Sequence, residues 1–448
     1  MTRWRLCFGS AIVLALIVGH LLRDTPGYMV RNPDGSFSGD ITHYVYWTRL
    51  VTFGGVQSAY AGTWPETYAV YPPLSLYPYQ VVGSVYRWTQ DPSFDVDRAQ
   101  ASLWLREAIK LVALGWHLLA ASAIFVLLPR KGAATEREAA LAASLYLVNP
   151  AALYDVAHWA QPDGAHALFS VLAIGLLSSG PVWAAWVAMA AAAFAKPQAW
   201  SILPLLGVAT FRAHGLAGVA RGIAAGAVAG GVISMPFLLS GHLGELLTLP
   251  ATVSSVMPVV SADAHNLWWL VAQARGQDPL LLQDATRALG PLTYRMLAAG
   301  LVTAMLLFSI WLAWTSRASL AEAAALGVLG WFTFTTQAHE NHLLFALPLL
   351  ALAWPSRHAL LVPFGVISVT LLANMLLHDQ LVLEMLGRGL QDPLVERLRL
   401  VNAALNVVCC LGWSLVAALR TPDPSRSSVK VNAWPRHPRR VGLEATVD

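Results

Sequence analysis

Apolar runs of about 17 to 25 residues recur along most of this 448-residue chain, each long enough to cross a hydrocarbon core as a helix. In lipid, every backbone amide and carbonyl must find its partner inside the protein, which restricts spanning structure to helices and closed barrels. These runs are continuous and lack the alternation a barrel strand needs, so the spans are helical. Hydrophobic residues make up 56% of the chain and charged ones 12%, with mean hydropathy +0.54, which excludes a water-soluble fold. The expected fold class is an all-α polytopic membrane protein.

The runs place about twelve transmembrane helices near 6–22, 103–128, 138–154, 164–179, 181–195, 197–211, 216–240, 291–315, 320–336, 343–355, 358–377 and 400–419. The first lies behind Arg3 and Arg5 with no A-x-A-like site after it, and reads as an uncleaved span. With those arginines inside, alternate crossings put Arg130, Lys131, Arg137, Arg212, Arg221, Arg317 and Arg357 in short cytoplasmic loops, as the positive-inside rule favours. The same parity puts 23–102, 241–290 and 378–399 outside. The first of these is a long outer loop expected to carry amphipathic helices. Two regions follow: a membrane domain over 1–420 and a disordered basic cytoplasmic tail over 421–448, rich in Pro, Ser and Arg. The net charge of +4 is a topology signal in loops and tail, and points to no nucleic-acid partner. Cys7, Cys409 and Cys410 lie in apolar runs and suggest neither disulfides nor a metal site. The absence of an N-x-S/T sequon fits a bacterial inner (cytoplasmic) membrane.

Polar clusters gather on the outer side. Ser38 is placed to cap a helix whose Asp40, His43, Tyr44 and Trp47 share one face, although a carboxylate there also simply charges a helix start. Tyr71-Pro72-Pro73-Leu74 fixes an extended turn, sufficient by itself as a rigid re-entry into the membrane. Asp155, His158, Gln161 and Asp163 crowd one short turn, where hydrogen bonding to substrate is favoured over metal ligation. Lys196, with Gln198, stands between two apolar runs and needs an anionic partner, a water-filled cavity or a reach to the interface. Asn266 and Trp268 lie in the large outer loop. His339, Glu340 and His342 end a span without the H-E-x-x-H spacing of a zinc site, so phosphate or sugar binding is the better reading. Arg106 and Lys110 are cations on one face of the second span, with topology anchoring as the plain alternative. No P-loop or dinucleotide fingerprint is present, and no D-x-D surrounds Asp40, so neither a nucleotide, a cofactor nor a metal is expected.

In this order, Gly39-Asp40 with Tyr44 and Trp47, Tyr71-Pro-Pro-Leu74, Asn149-Pro150 with Asp155, His158 and Gln161, Lys196 with Gln198, Asn266-Leu-Trp268 and Gln337-Ala-His-Glu340 resemble the GT-C superfamily of polyprenyl-phosphate-sugar-dependent glycosyltransferases. The resemblance is greatest to the branch with the dolichyl-phosphate-glucose glucosyltransferases and their bacterial relatives. Two positions depart from that pattern: Ala69-Val70 stands where Leu-Asp precedes Tyr-Pro-Pro, and Asn341 stands where a basic residue follows His-Glu. The resemblance implies that Asp40 is the catalytic carboxylate and that the later clusters line the donor and acceptor sites.

The expected reaction moves a hexose, glucose or mannose, from a polyprenyl-phosphate carrier to a hydroxyl of a glycan or glycolipid acceptor at the outer membrane face. Asp40 acts as base, the configuration inverts, and Lys196, Arg106 and His339 are the candidates to meet the departing phosphate. The alternative is a transporter or flippase of the same lipid-linked sugar, against which stand the one-sided polar clusters and the lack of an inverted repeat.

Overall fold

The computed structural model describes residues 2–31, 37–63, 67–130 and 134–423, with backbone only at 30–31 and 37–38. Lys131 and nearly all of the expected tail, including Arg426, Lys430, Arg436, Arg439 and Arg440, lie outside the described residues.

The chain opens with α1 (Arg3–Leu21), a small antiparallel hairpin of β1 (Met29–Arg31) and β2 (Phe37–Gly39), and then α2 (Asp40–Gly54), α3 (Tyr77–Thr89) and α4 (Val96–Ala101). These three helices are those expected of the long first loop. They enclose an aromatic core in which Tyr44, Trp47, Tyr60, Tyr79, Tyr86 and Phe94 are buried. Helix α2 begins at Asp40 with Gly39 at its N-cap, so the cap stands one residue later than expected and carries no side chain. Gly39 is required there for space: a β-carbon would lie 1.9 Å from the Tyr28 carbonyl oxygen on the facing chain.

The bundle proper follows: α5 (Leu103–Leu127), α6 (Glu136–Leu147), α7 (Pro150–Leu153), α8 (Asp163–Ser179), α9 (Val182–Ala195) and α10 (Leu203–Ile233). Helices α6 and α7 form one broken span bent by 48°. The bend falls at Asn149-Pro150, where the ring cannot continue the backbone ladder and the Asn149 side chain instead caps the amides of Ala151 and Ala152. A single π-turn over Tyr154–His158 then ends this span.

The run through α10 is not one crossing. Trp186 of α9 hydrogen-bonds Thr210 Oγ1 at 3.1 Å, and the same indole lies 2.4 Å from where a β-carbon on Gly222 would sit. Those two positions would stand about 18 Å apart on a straight helix. The chain therefore doubles back at Gly215, whose φ of 62° and ψ of −167° suit glycine. The returning limb packs glycines, Gly222 and Gly226 on Trp186 and Gly230 on Phe194, against α9. The reversal falls between the two spans the sequence places at 197–211 and 216–240, whereas by length and composition the whole 197–233 run stands as a single candidate crossing.

Helices α11 (Met235–Ser240), α12 (Leu243–Val256) and α13 (Leu267–Ala274) precede the hairpin of β3 (Arg287–Leu289) and β4 (Leu292–Thr293). The end of the chain holds α14 (Tyr294–Trp314), α15 (Leu320–Phe334), α16 (Ala346–Ala353), α17 (Leu361–Leu376), α18 (Gln380–Met385) and α19 (Pro393–Ala418). Helices α1, α5, α14, α17 and α19 and the 197–233 run are long and apolar enough to cross a membrane, and the broken α6–α7 pair makes a seventh. The other expected crossings are shorter: α8, α9, α15 and α16 have 17, 14, 15 and 8 residues. Gly180-Pro181 and Lys196-Pro197 separate α8, α9 and the turn before α10, which keeps two of them short.

The two ends of the bundle differ in chemistry. At one end sit the basic loop residues, with Arg5 on Glu136 at 2.7 Å, Arg212 on the Ala313 carbonyl at 2.7 Å, and Arg357 and Arg420 on the buried Glu322. At the other end sit the carboxylates, histidines and Lys196 that the sequence singles out.

Candidate active site

The β1–β2 hairpin and the N-terminus of α2 deliver Asp40 to the turn between α7 and α8. There its Oδ2 accepts a 2.6 Å hydrogen bond from Gln161 Nε2. Gln161 Oε1 in turn accepts from the Tyr71 hydroxyl at 2.8 Å, and that hydroxyl lies 3.3 Å from the hydroxyl of Tyr44. The Tyr-Pro-Pro segment holds Tyr71 in place: the Tyr71 carbonyl accepts from Tyr60 at 2.6 Å, and Ser75 donates to the Ala195 carbonyl at 2.7 Å. This last contact ties the turn to the neighbouring Lys196, whose Nζ stands 5.3 Å over the Tyr71 ring. Trp47 packs edge-on to Tyr71, with ring centroids 5.6 Å apart, beneath the same group. Asp40 and Tyr71 keep partial exposure while Tyr44 and Trp47 behind them are buried.

Lys196 pairs with Asp163 at the first turn of α8. Asn341 Nδ2 donates to Asp163 at 2.9 Å and to Asp155 at 3.1 Å, so one amide joins two buried carboxylates. Gln198 Nε2 reaches His342 Nε2 at 2.7 Å, and the backbone amide of His339 donates to His342 Nδ1 at 3.1 Å. His339 and Glu340 lie side by side at 3.8 Å. The sequence clusters around Asp40, Tyr71, Gln161, Lys196 and His339 thus converge on one end of the bundle.

Burial raises the Asp40 carboxyl to about 7; Lys196 and the Gln161 hydrogen bond act against that rise and Asp163 adds to it. A carboxylate poised there is suited to accept a proton at neutral pH. Burial lowers the His339 imidazole to about 4, so it is neutral near pH 7 and offers a hydrogen bond and no charge. Glu340 is driven well above the usual carboxylate range, by burial first and then by Asp263 and Asp40.

Other predicted residues make contacts outside the group that joins Asp40 to Lys196. Arg106 Nη1 donates to the Asp24 carbonyl at 3.1 Å, and Lys110 donates to the carbonyls of Leu22 and Thr25; both finish the C-terminal end of α1. Asn266 caps α13 through the amides of Trp268 and Trp269 and donates to the Phe332 and Thr335 carbonyls, while the Trp268 indole donates to the Phe334 carbonyl. His158 bridges Thr25 at 2.9 Å and Asp379 at 3.3 Å.

Several residues of the site escape the sequence reading. Tyr28 lies where the fields of Asp263, Glu340, Asp40 and Asp379 meet, and burial, followed by those four charges, holds its phenol well above its ordinary value. Asp379 accepts from Tyr154, His158 and Trp159 at 2.6, 3.3 and 3.0 Å. Asp263 accepts from His378, which meets His265 in turn. His378-Asp379 closes an apolar run just as His339-Glu340 does, and an ionisable pair in that position was the available signal. Asp263 sits in a loop whose backbone pairs with Ala338 and His339, a contact no sequence pattern announces.

No family model matches the chain, and no curated protein matches it. Among solved structures it is similar to ArnT from Cupriavidus metallidurans in the apo state, 14% identical, with TM-score 0.48 over 92% of this chain and 76% of that one. It is also similar to the apo oligosaccharyltransferase of Archaeoglobus fulgidus, 14% identical, with TM-score 0.37 over 94% of this chain and 56% of that one. Likenesses this distant assign no activity, which must come from the chain's own residues.

Proposed function

We propose that this protein is a membrane glycosyltransferase in which Asp40 takes the proton of an acceptor hydroxyl while that oxygen displaces a polyprenyl phosphate from the anomeric carbon of a hexose. One observation carries the reading: a partly exposed carboxyl, brought to about 7, sits on the Gln161 amide within the field of a buried lysine. The C–O bond to the phosphate breaks as the new glycosidic C–O bond forms on the opposite face, so the configuration inverts. The phosphate leaves as an anion and needs charge rather than an acid. Lys196 is the cation for this role, since Asp163 occupies only one of its three N–H groups among the described residues. Arg106 is less suited because its Nη1 is held by the Asp24 carbonyl beyond the end of α1, and His339 because it is neutral.

The site end is opposite the basic loops, and the positive-inside rule then directs it away from the cytoplasm. A donor whose sugar is already activated on a lipid matches that location. The test is transfer of radiolabelled sugar from polyprenyl-phosphate glucose and polyprenyl-phosphate mannose to membrane acceptors. Wild type transfers, and Asp40→Asn loses about 10²–10⁴ of the rate, the usual share of a general base. If neither protein transfers while both carry the lipid across a bilayer, the flippase reading replaces this one.

A further inference from the structure

Asp263 pairs through its backbone with His339, and the setting of its carboxylate is more elaborate than a structural role needs. Asn402 Nδ2 donates to the Thr370 carbonyl and, at 2.8 Å, to His265 Nδ1, which must therefore be the unprotonated nitrogen. His265 Nε2 then carries the hydrogen and donates to His378 Nε2 at 2.9 Å. His378 is left with its hydrogen on Nδ1, aimed at Asp263 Oδ1 at 2.9 Å. Burial keeps His265 neutral, which agrees with this assignment. The relay has one direction and ends on one carboxylate oxygen.

Asp263 is also one of few non-glycine residues with a left-handed backbone, at φ 65°, and the Asn374 amide clamps its carbonyl at 2.6 Å. Its side chain stays 19% exposed, and among the described residues no donor reaches Oδ2. A fixed, reachable carboxylate oxygen repels phosphate and accepts from neutral hydroxyls. In the transfer reaction proposed above, on which this inference rests, the acceptor oxygen sits at Asp40 and the hexose ring lies beyond it. The Asp263 backbone pairs with that of His339, two residues before the Asn341 that joins Asp155 and Asp163 beside Lys196, so Asp263 borders the site from that side.

We propose that Asp263 Oδ2 accepts a hydrogen bond from a hydroxyl of the donor hexose and so selects the sugar, with His378 as its positioning residue. The experiment compares the Kd of polyprenyl-phosphate glucose, polyprenyl-phosphate mannose and their monodeoxy derivatives with that of bare polyprenyl phosphate, for wild type and Asp263→Asn in detergent. Asparagine tolerates the left-handed backbone and keeps the volume, so the variant retains the fold. The expected result is tighter binding of one sugar-lipid over the bare lipid by wild type, and a 10- to 100-fold loss of that preference in Asp263→Asn, the range for a hydrogen bond to a charged group. Removing the gripped hydroxyl abolishes the difference between the two proteins. His378→Gln loses the same preference with bare-lipid binding unchanged. Because each result is a ratio to the bare lipid, a folding defect cancels. An unchanged ratio in Asp263→Asn, or no sugar preference in wild type, overturns the assignment. Transfer assays on the same proteins keep the outcomes separate: active wild type with an unchanged ratio refutes Asp263 alone, whereas sugar-selective binding without transfer refutes the glycosyltransferase.

Discussion

Replacing Gln161 by leucine isolates the contact that sets the Asp40 base. The Gln161 amide donates to Asp40 Oδ2 at 2.6 Å, and this bond favours the ionised form against the burial that opposes it. With the wild-type carboxyl at about 7, transfer rises with pH up to about 7 and then levels, because the deprotonated carboxylate is the working form. A hydrogen bond to a charged group contributes about 1.5–3 kcal/mol, and about 1.4 kcal/mol corresponds to one pH unit, so its loss moves the inflection to about 8 or 9. At pH 7 the variant then keeps roughly a fifth to a fiftieth of the wild-type rate, and it recovers about half or more of it at pH 9. The assay is the initial rate of sugar transfer across pH 5.5–9.5 at saturating donor, with roughly constant ionic strength. Tyr71→Phe is the control. It removes the donor to Gln161 Oε1 at 2.8 Å without touching Asp40, and its inflection moves less. An inflection that stays near its wild-type position in Gln161→Leu, or a loss equal at every pH, refutes Asp40 as the titrating base.

Gly39→Ala puts a β-carbon where the Tyr28 carbonyl oxygen is 1.9 Å away, so the hairpin must open; the expected loss is about 1–3 kcal/mol of stability with a larger loss of transfer, read by thermal unfolding in detergent and by rate. Asn341→Leu withdraws the donor shared by Asp155 and Asp163 and lowers stability by about 3 kcal/mol, whereas a change under about 0.5 kcal/mol disproves the shared bridge. For topology, a cysteine replacing the exposed His214 beside the Gly215 reversal is reached by a membrane-impermeant maleimide only after cells are opened, while one replacing the exposed Gln277 reacts in intact cells. The same accessibility at both positions removes the argument that the site end faces outward.

The helical bundle is legible because lipid forces it: a run such as Leu103–Leu127 leaves no other way to satisfy its backbone. The Gly215 reversal is legible too, since Arg212 and Arg221 flank it. The site is legible as a set of residues but not as a set of contacts. Asp40 and Gln161 meet across 121 positions, and Lys196 finds its anion in Asp163, one of several carboxylates that the sequence offers equally. Arg106 is legible as a cation near a helix start but not by its partner, the Asp24 carbonyl just beyond α1. The same holds for Asn266, its four hydrogen bonds all being spent on backbone.

Backbone strain points to the same place as the charge. Five non-glycine residues among those described have positive φ, and three of them, Ala160, Asp263 and Gln337, lie in the segments that border the site. Each such conformation costs on the order of 1–3 kcal/mol and survives only where its surroundings enforce it. The surroundings are visible: the amide after Ala160 is held by the Asp155 carbonyl at 3.1 Å, Gln337 is tied to the Val259 carbonyl at 3.1 Å, and the Ala262 amide meets the Ala338 carbonyl at 2.9 Å. These three kinks set the positions of Gln161, His339 and Asp263. The same end of the bundle also holds buried carboxylates that outnumber its buried cations, another arrangement that folding alone would not favour. Backbone strain and crowded buried carboxylates each lower stability, and both lie at the end of the bundle opposite the arginine loops, the end at which sugar transfer is proposed.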